Sequence, residues 1–245
     1  MIKDALGVRR GDVVAVAGAG GKTTLCFALA EEAHAAGWSV LVTTTTHMGT
    51  LPGAVTGPLF VESEGDAREG LRAALRDCGR ATLLGCRLRD DKLEGVLPER
   101  VDQLAPLADL VVVEADGARQ RSLKTPAPHE PVIPASASLL VVLAALDVLG
   151  QPLAEERVHR LERVLAATAR AEGDLVGERE VVSTLLDPGG YPRHLRSGLR
   201  SAVFLNKAEA EADFSAAARI AAALVPPYGT VAAGSARSGT ARRLA

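Results

Sequence analysis

The stretch Gly18-Ala19-Gly20-Gly21-Lys22-Thr23-Thr24 stands between an apolar run, Val13 to Ala17, and a segment of helical period, Thr23 to Ala36. No other feature narrows the fold as much, because a glycine loop joining a buried strand to a helix is the context a phosphate-binding loop requires. Small residues let the backbone wrap an anion, so that successive N–H groups and the positive helix end face the phosphates. Gly18, Ala19, Gly20 and Gly21 supply that cradle. Lys22 then reaches the terminal phosphates, Thr23 offers a hydroxyl to magnesium, and Thr24 bonds the inner phosphates from the first helical turn. The long consensus places a glycine where this chain has Val16, so the motif is the shorter GxxGKT form opening at Gly18.

Valine-rich runs alternate with helical stretches along most of the chain, the pattern of a parallel sheet covered by helices. Strands are predicted at Val13–Ala17, Ser39–Thr44, Leu59–Glu62, Ala81–Cys86, Leu110–Glu114, Leu139–Leu143, Ala202–Leu205 and Thr230–Ala232. Helical composition marks Asp66–Arg76, Glu99–Leu107 and Ala208–Leu224. Between residues 147 and 200 the alternation stops, and Glu155–Ala171 and Arg179–Leu186 read as consecutive helices. The expected fold is α/β: a mostly parallel sheet with helices on both faces, P-loop NTPase-like, one domain over residues 1–245 carrying a helical insert at 147–200. The tail from Ser235 to Ala245 is small, polar and basic, which predicts fraying.

Composition excludes several classes. The 28 Lys plus Arg against 30 Asp plus Glu leave no positive excess for a polyanion, so nucleic acid is not an expected partner. The longest apolar run, Leu139 to Leu146, is eight residues, where a membrane span needs about 20. Met1 to Arg10 has no signal-peptide core, which predicts a cytoplasmic protein. Cys26, Cys78 and Cys86 form no CxxC pair and are expected to be reduced and mostly buried.

The run from Asp109 through Glu114 to Asp116 is a buried strand ending in two carboxylates at i and i+2, on one face of an extended chain. Beside a phosphate loop such a pair can hold magnesium and orient an attacking water, with the two tasks not assignable from spacing. Thr43-Thr44-Thr45-Thr46-His47 sits at the carboxyl end of the second strand, the edge where open α/β sheets bind ligands. One hydroxyl, placed at Thr45, is a candidate for the magnesium ion, and His47 is a candidate site residue. The loop from Ala118 to Ala135 has four prolines between Pro126 and Pro134, which forbid a helix. Arg119, Lys124, His129 and Glu130 within it are candidates for a second substrate, or are solvated charges on a rigid surface loop.

Asn206-Lys207-Ala208-Glu209 follows the strand Ala202–Leu205 at the place where G-domains carry Asn-Lys-x-Asp. An acid there accepts two hydrogen bonds from guanine, which adenine cannot donate. Glu209 carries one methylene more than aspartate, and Gly234-Ser235-Ala236 resembles the loop that backs the guanine. GTP is thus favoured over ATP, the alternative being that Asn206 caps the following helix. The basic run from Pro188 to Arg200 offers a patch for a cofactor phosphate or a partner, or a solvated face.

Taken together, the phosphate loop, the threonine run ending at His47, Glu114-Ala-Asp116-Gly-Ala, the Leu123–Pro134 block containing His129-Glu130-Pro, and residues 204–208 resemble the YqeC family. Its members are described as accessory proteins of selenium-dependent molybdenum hydroxylases. The resemblance implies a nucleotide-binding protein that helps a selenium or molybdenum cofactor into its enzyme, with such a hydroxylase or its cofactor as partner. A magnesium-dependent NTPase is the leading expectation. A nucleotide-gated scaffold without hydrolysis is an alternative, as is an ATP-dependent ligase, since the short loop also resembles that of Mur-type ligases.

Overall fold

The computed structural model describes residues 1–46, 57–61, 67–89 and 92–245; His47, Glu62 and Asp66 lie outside them. A short helix α1 (Ile2–Ala5) precedes β1 (Asp12–Gly18), α2 (Lys22–Ala35) and β2 (Val40–Thr44). Next come β3 (Leu59–Val61), α3 (Ala67–Cys78), β4 (Arg80–Leu84), the hairpin of β5 (Cys86–Arg89) and β6 (Lys92–Glu94), and α4 (Pro98–Leu104). The chain continues through β7 (Leu110–Glu114), β8 (Leu123–Lys124), β9 (Leu139–Ala145), β10 (Val158–His159), α5 (Leu161–Thr168) and α6 (Glu178–Leu186). It ends with β11 (Arg200–Asn206), α7 (Glu211–Leu224), β12 (Thr230–Ser235) and β13 (Thr240–Arg243).

Nine strands form one sheet in the order β13-β12-β11-β9-β1-β7-β2-β4-β3. Every neighbouring pair is parallel except β12 with β13. Alternate residues of β1 show why both faces must be covered: Val14 and Val16 pack with Leu25 and Leu29 of α2, and Val13, Ala15 and Ala17 enter the opposite core. That second core also takes Leu71 of α3, Val101 of α4, Val164 of α5, Val181 of α6 and Ile220 of α7. Such leucines and valines each contribute about 1.5–3 kcal/mol by leaving water. The expected α/β class therefore stands, with helices on both faces.

Three expectations are corrected. The predicted strand Ala81–Cys86 divides at Gly85, where a side chain would strike the Gly95 carbonyl, and Cys86 starts the separate hairpin. The helix expected over Glu155–Ala171 is confined to α5, because Val158 and His159 pair with Leu123 and Lys124 and Arg160 then turns left-handed, at φ 59°. The tail does not fray: Thr240–Arg243 pairs antiparallel with Ser235–Ala232 and closes the sheet edge. All three cysteines are free, but the expectation that most are buried is also corrected: Cys26 alone is buried, against the sheet, while Cys78 is exposed at the end of α3 and Cys86 half-buried at the start of the hairpin. Among the described residues no helix is long and apolar enough to cross a membrane.

Candidate functional site

Parallel pairing brings the carboxyl ends of β1, β7, β2, β9, β11 and β12 to one edge of the sheet. The registers align Gly18 with Leu143, Val16 and Thr44 with Glu114, and Asn206 with both Ala145 and Gly234. The Gly18–Thr24 loop emerges there from β1, the fifth strand of nine. Gly18, Gly20 and Gly21 hold φ of 102°, 88° and 118°. A Cβ on Gly18 would strike the Leu143 carbonyl, and one on Gly20 would strike the Ala145 side chain. Glycine is therefore needed both for the turn and for the approach of the neighbouring strand. Gly21 caps α2 with no side-chain hydrogen bond, so no side chain competes for the first-turn amides.

Lys22 is folded into this loop. Its Nζ donates to the Gly18 carbonyl at 2.9 Å and lies 3.3 Å from Asp116 Oδ1 and 3.9 Å from Glu114 Oε1. Burial pulls its pKa down, but the two carboxylates outweigh burial and the net shift is upward. Thr23 Oγ1 donates to Glu114 Oε2 at 2.7 Å. Burial raises the Glu114 pKa, against the opposing pull of Lys22 and the Thr23 hydroxyl. Thr24 is exposed on the first turn of α2.

The two carboxylates that spacing could not tell apart have different surroundings. Glu114 faces Thr23 and the loop. Asp116 is fully buried and engaged on all sides: it accepts the Gly18 N–H at 3.2 Å, Lys124 Nζ at 2.9 Å and the Tyr191 hydroxyl at 3.3 Å, beside its contact with Lys22. Burial, then the Asp116 charge, lifts the Tyr191 phenol well above its ordinary value. Lys124 in turn lies 2.9 Å from Glu130, which also accepts from Arg160 at 3.1 and 3.2 Å. Lys22, Asp116, Lys124, Glu130 and Arg160 thus alternate in charge along one continuous chain.

Sequence reasoning placed Lys124 and Glu130 in a substrate-facing loop, whereas both are buried. It gave Arg160 no role and placed Tyr191 only within a basic surface run. A lysine among uncharged neighbours, Leu123-Lys124-Thr125-Pro126, is the one signal that pointed to a buried charge. Arg193, expected to offer a basic patch, donates instead to the carbonyls of Ala127, Pro128 and Glu130 and so clamps the proline loop. His129 is exposed.

The threonine hydroxyls hold strand ends together. Thr43 donates to Leu83, Thr44 to the Glu114 carbonyl and Thr45 to the Val132 carbonyl at 2.7 Å. Thr45 thereby ties the proline loop to the β2 end. On the far side, Asn206 does not cap α7; Asp213 does, accepting from the amides of Glu209 and Ala210. Asn206 Nδ2 donates to the Gly20 carbonyl at 2.7 Å and its Oδ1 accepts the Ala236 N–H at 2.9 Å, fastening the loop to the end of β12. Lys207 adopts φ 64° and pairs with Asp147 at 2.7 Å, and Glu209 accepts the Ser235 hydroxyl at 3.1 Å.

The arrangement can hold an anion on backbone amides, with a lysine above it and a hydroxyl–carboxylate pair beside it. In overall shape the chain is similar to the crystal structure of FtsY from Mycoplasma mycoides, with a TM-score of 0.42 and 13% identity over 92% of this chain and 62% of that one. It thus spans less than two thirds of that chain. It is 32% identical over 201 residues to a protein of Escherichia coli (strain K12) titled "Uncharacterized protein YqeC", covering 81% of this chain and 77% of that one. The family model described as "YqeC protein" matches residues 14–162, from within β1 to the start of α5, and the chain therefore belongs to the YqeC family.

Proposed function

We propose that this chain binds a magnesium–nucleoside triphosphate at the Gly18–Thr24 loop and hydrolyses it. The observation that carries the reading is the 2.7 Å hydrogen bond from Thr23 to Glu114 beside a lysine folded onto its own loop. It sets a hydroxyl and a carboxylate, the oxygen donors magnesium prefers, beside a glycine loop packed so closely on Leu143, Ala145 and Asn206 that no Cβ fits. Thr23 and Glu114 are the residues that would hold the ion, and bound there it would neutralise charge on the phosphates.

In this reading Lys22 exchanges the Gly18 carbonyl for the terminal phosphates, and Asp116 aims it by holding its ammonium. Asp116 has both oxygens occupied by protein donors, which favours this positioning role over a place on the metal. Asn206 holds the Gly20 carbonyl, and the motif position of Lys207 and Glu209 favours guanine on this side. The similarity to the YqeC family supports a role for turnover in maturing a selenium-dependent molybdenum hydroxylase cofactor.

Phosphate release from GTP and from ATP, with magnesium and with chelator, tests the reading. Magnesium-dependent release, faster with GTP, is expected. Binding without release would point to the nucleotide-gated scaffold, and no binding of either nucleotide would remove the proposal.

A further inference from the structure

A second concave site lies beyond the phosphate loop, at the junction of the segment after β7 with the start of α5. This pocket of about 230 Å³ is lined by Arg119, Arg121, His159 and Arg160, with Glu155 and Glu162 at its side. Among the described residues neither Arg119 nor Arg121 has an ion-pair partner, although the exposed Arg10, Arg80, Arg219 and Arg242 all do. Arg160 is already oriented, its guanidinium held by both oxygens of Glu130. Three residues of the pocket and its rim, Arg119, Gln120 and Arg160, hold φ of 47°, 61° and 59°, out of five non-glycine residues with positive φ in the described chain. Each such conformation costs of order 1–2 kcal/mol, and strain of this kind collects at ligand sites.

We infer that this pocket binds a small phosphate ester, a second ligand distinct from the nucleotide. Planar guanidinium forks match phosphate oxygens in pairs, and those of Arg119 and Arg121 stand here beside a histidine and beside Arg160, whose own fork is taken by Glu130 but whose charge remains. That histidine is neutral at pH 7: burial, then the charges of Lys124 and Arg160, hold its pKa at about 4, so it offers a hydrogen bond and not a charge. Glu155 and Glu162, on the pocket's side, suit hydroxyl or amino groups on the ester's organic part, while the arginines take the phosphate itself. The volume falls below the roughly 300–1,000 Å³ of sites for larger ligands, which keeps that part small. Position supports the reading. Arg119 follows Asp116 by three residues, and Arg160 ends the charge chain that begins at Lys22, so the pocket is linked to the proposed nucleotide site through that chain without sharing its residues.

The test is a titration of the full chain with inorganic phosphate at constant ionic strength, followed by backbone amide NMR. Saturable shifts at the amides of residues 119–122 and 159–162 are expected, and the Arg119→Gln/Arg121→Gln variant should weaken them at least tenfold while leaving any response at residues 18–24 unchanged. The same spectra show whether the double variant is folded; if it is not, Arg119→Gln alone, at an exposed position, should weaken them at least threefold. Shifts confined to residues 18–24, an equal response in the variants, or no saturation would overturn the inference. A nucleotide titration of the same samples separates the two ideas: a pocket response without nucleotide binding refutes only the nucleotide reading, and the reverse refutes only this one.

Discussion

Lys124 and Asp116 form an ion pair at 2.9 Å in which both side chains are wholly inaccessible to solvent. Taking either charge out of water alone costs several kcal/mol, so the pair persists only because each member is compensated more than once. Asp116 also faces Lys22 at 3.3 Å, and Lys124 also faces Glu130 at 2.9 Å and donates to the Gly117 carbonyl. Through this pair the phosphate loop, the β7 end and the proline loop are held as one unit.

Lys124→Met should therefore destabilise the fold by about 3 kcal/mol, since it takes a shared cation from two buried carboxylates and leaves Asp116 with Lys22 and Glu130 with Arg160. Urea unfolding measures this. A loss below about 1 kcal/mol would mean that water reaches the site and the pair is not structural.

Acid should undo the same network. Burial alone would raise the Glu130 pKa, but Arg160, the Ala127 amide and Lys124 outweigh it and hold the group at about 2, against an ordinary 4.5. The unfolded chain binds more protons than the folded one between those values, so the contribution, about 3 kcal/mol, is fully present above pH 4.5 and is lost as pH falls toward 2. The stability gap between wild type and Glu130→Gln, followed by urea titration from pH 6 to pH 3, should shrink as pH drops. A gap independent of pH would contradict the account.

Gly20→Ala should lower nucleotide affinity at least tenfold, because its Cβ meets the Ala145 side chain and pushes the loop off β9. Gly173→Ala is the control. It shares a positive φ, 89°, but has open space around its Cβ, so it should cost stability of order 1 kcal/mol and leave nucleotide binding alone. Calorimetric titration of both variants distinguishes a steric requirement from a conformational one.

Base choice is separable from phosphate binding. Glu209→Ala should cut the preference for GTP over ATP roughly tenfold while leaving the affinity for inorganic pyrophosphate unchanged, as competition titrations would record. An unchanged GTP-to-ATP ratio would remove Glu209 from the base-selecting side.

The central strands were legible because they are buried on both faces. In β1, β7 and β9 every residue is buried, and such strands read as unbroken apolar runs. The phosphate loop was legible for a local reason, its glycines marking positive φ in sequence as they do in space. What escaped was set by distant partners. The β8–β10 ladder pairs residues 35 apart, and β13 is a basic, exposed strand whose only apolar cue is Ala241. The different surroundings of Glu114 and Asp116 depend on Lys124 and Tyr191, which no spacing rule brings to them. Asn206 was found by its motif, but its bond to Gly20, 186 residues away, came only from the pairing of β11 with β9.

Titration calorimetry of a non-hydrolysable GTP analogue with magnesium into wild type and Lys22→Ala tests the central claim most directly. Micromolar or tighter binding by wild type, weakened at least a hundredfold in a variant that keeps its circular dichroism spectrum, is the predicted result. Equal affinity in the two proteins, or no heat of binding in wild type, would contradict it.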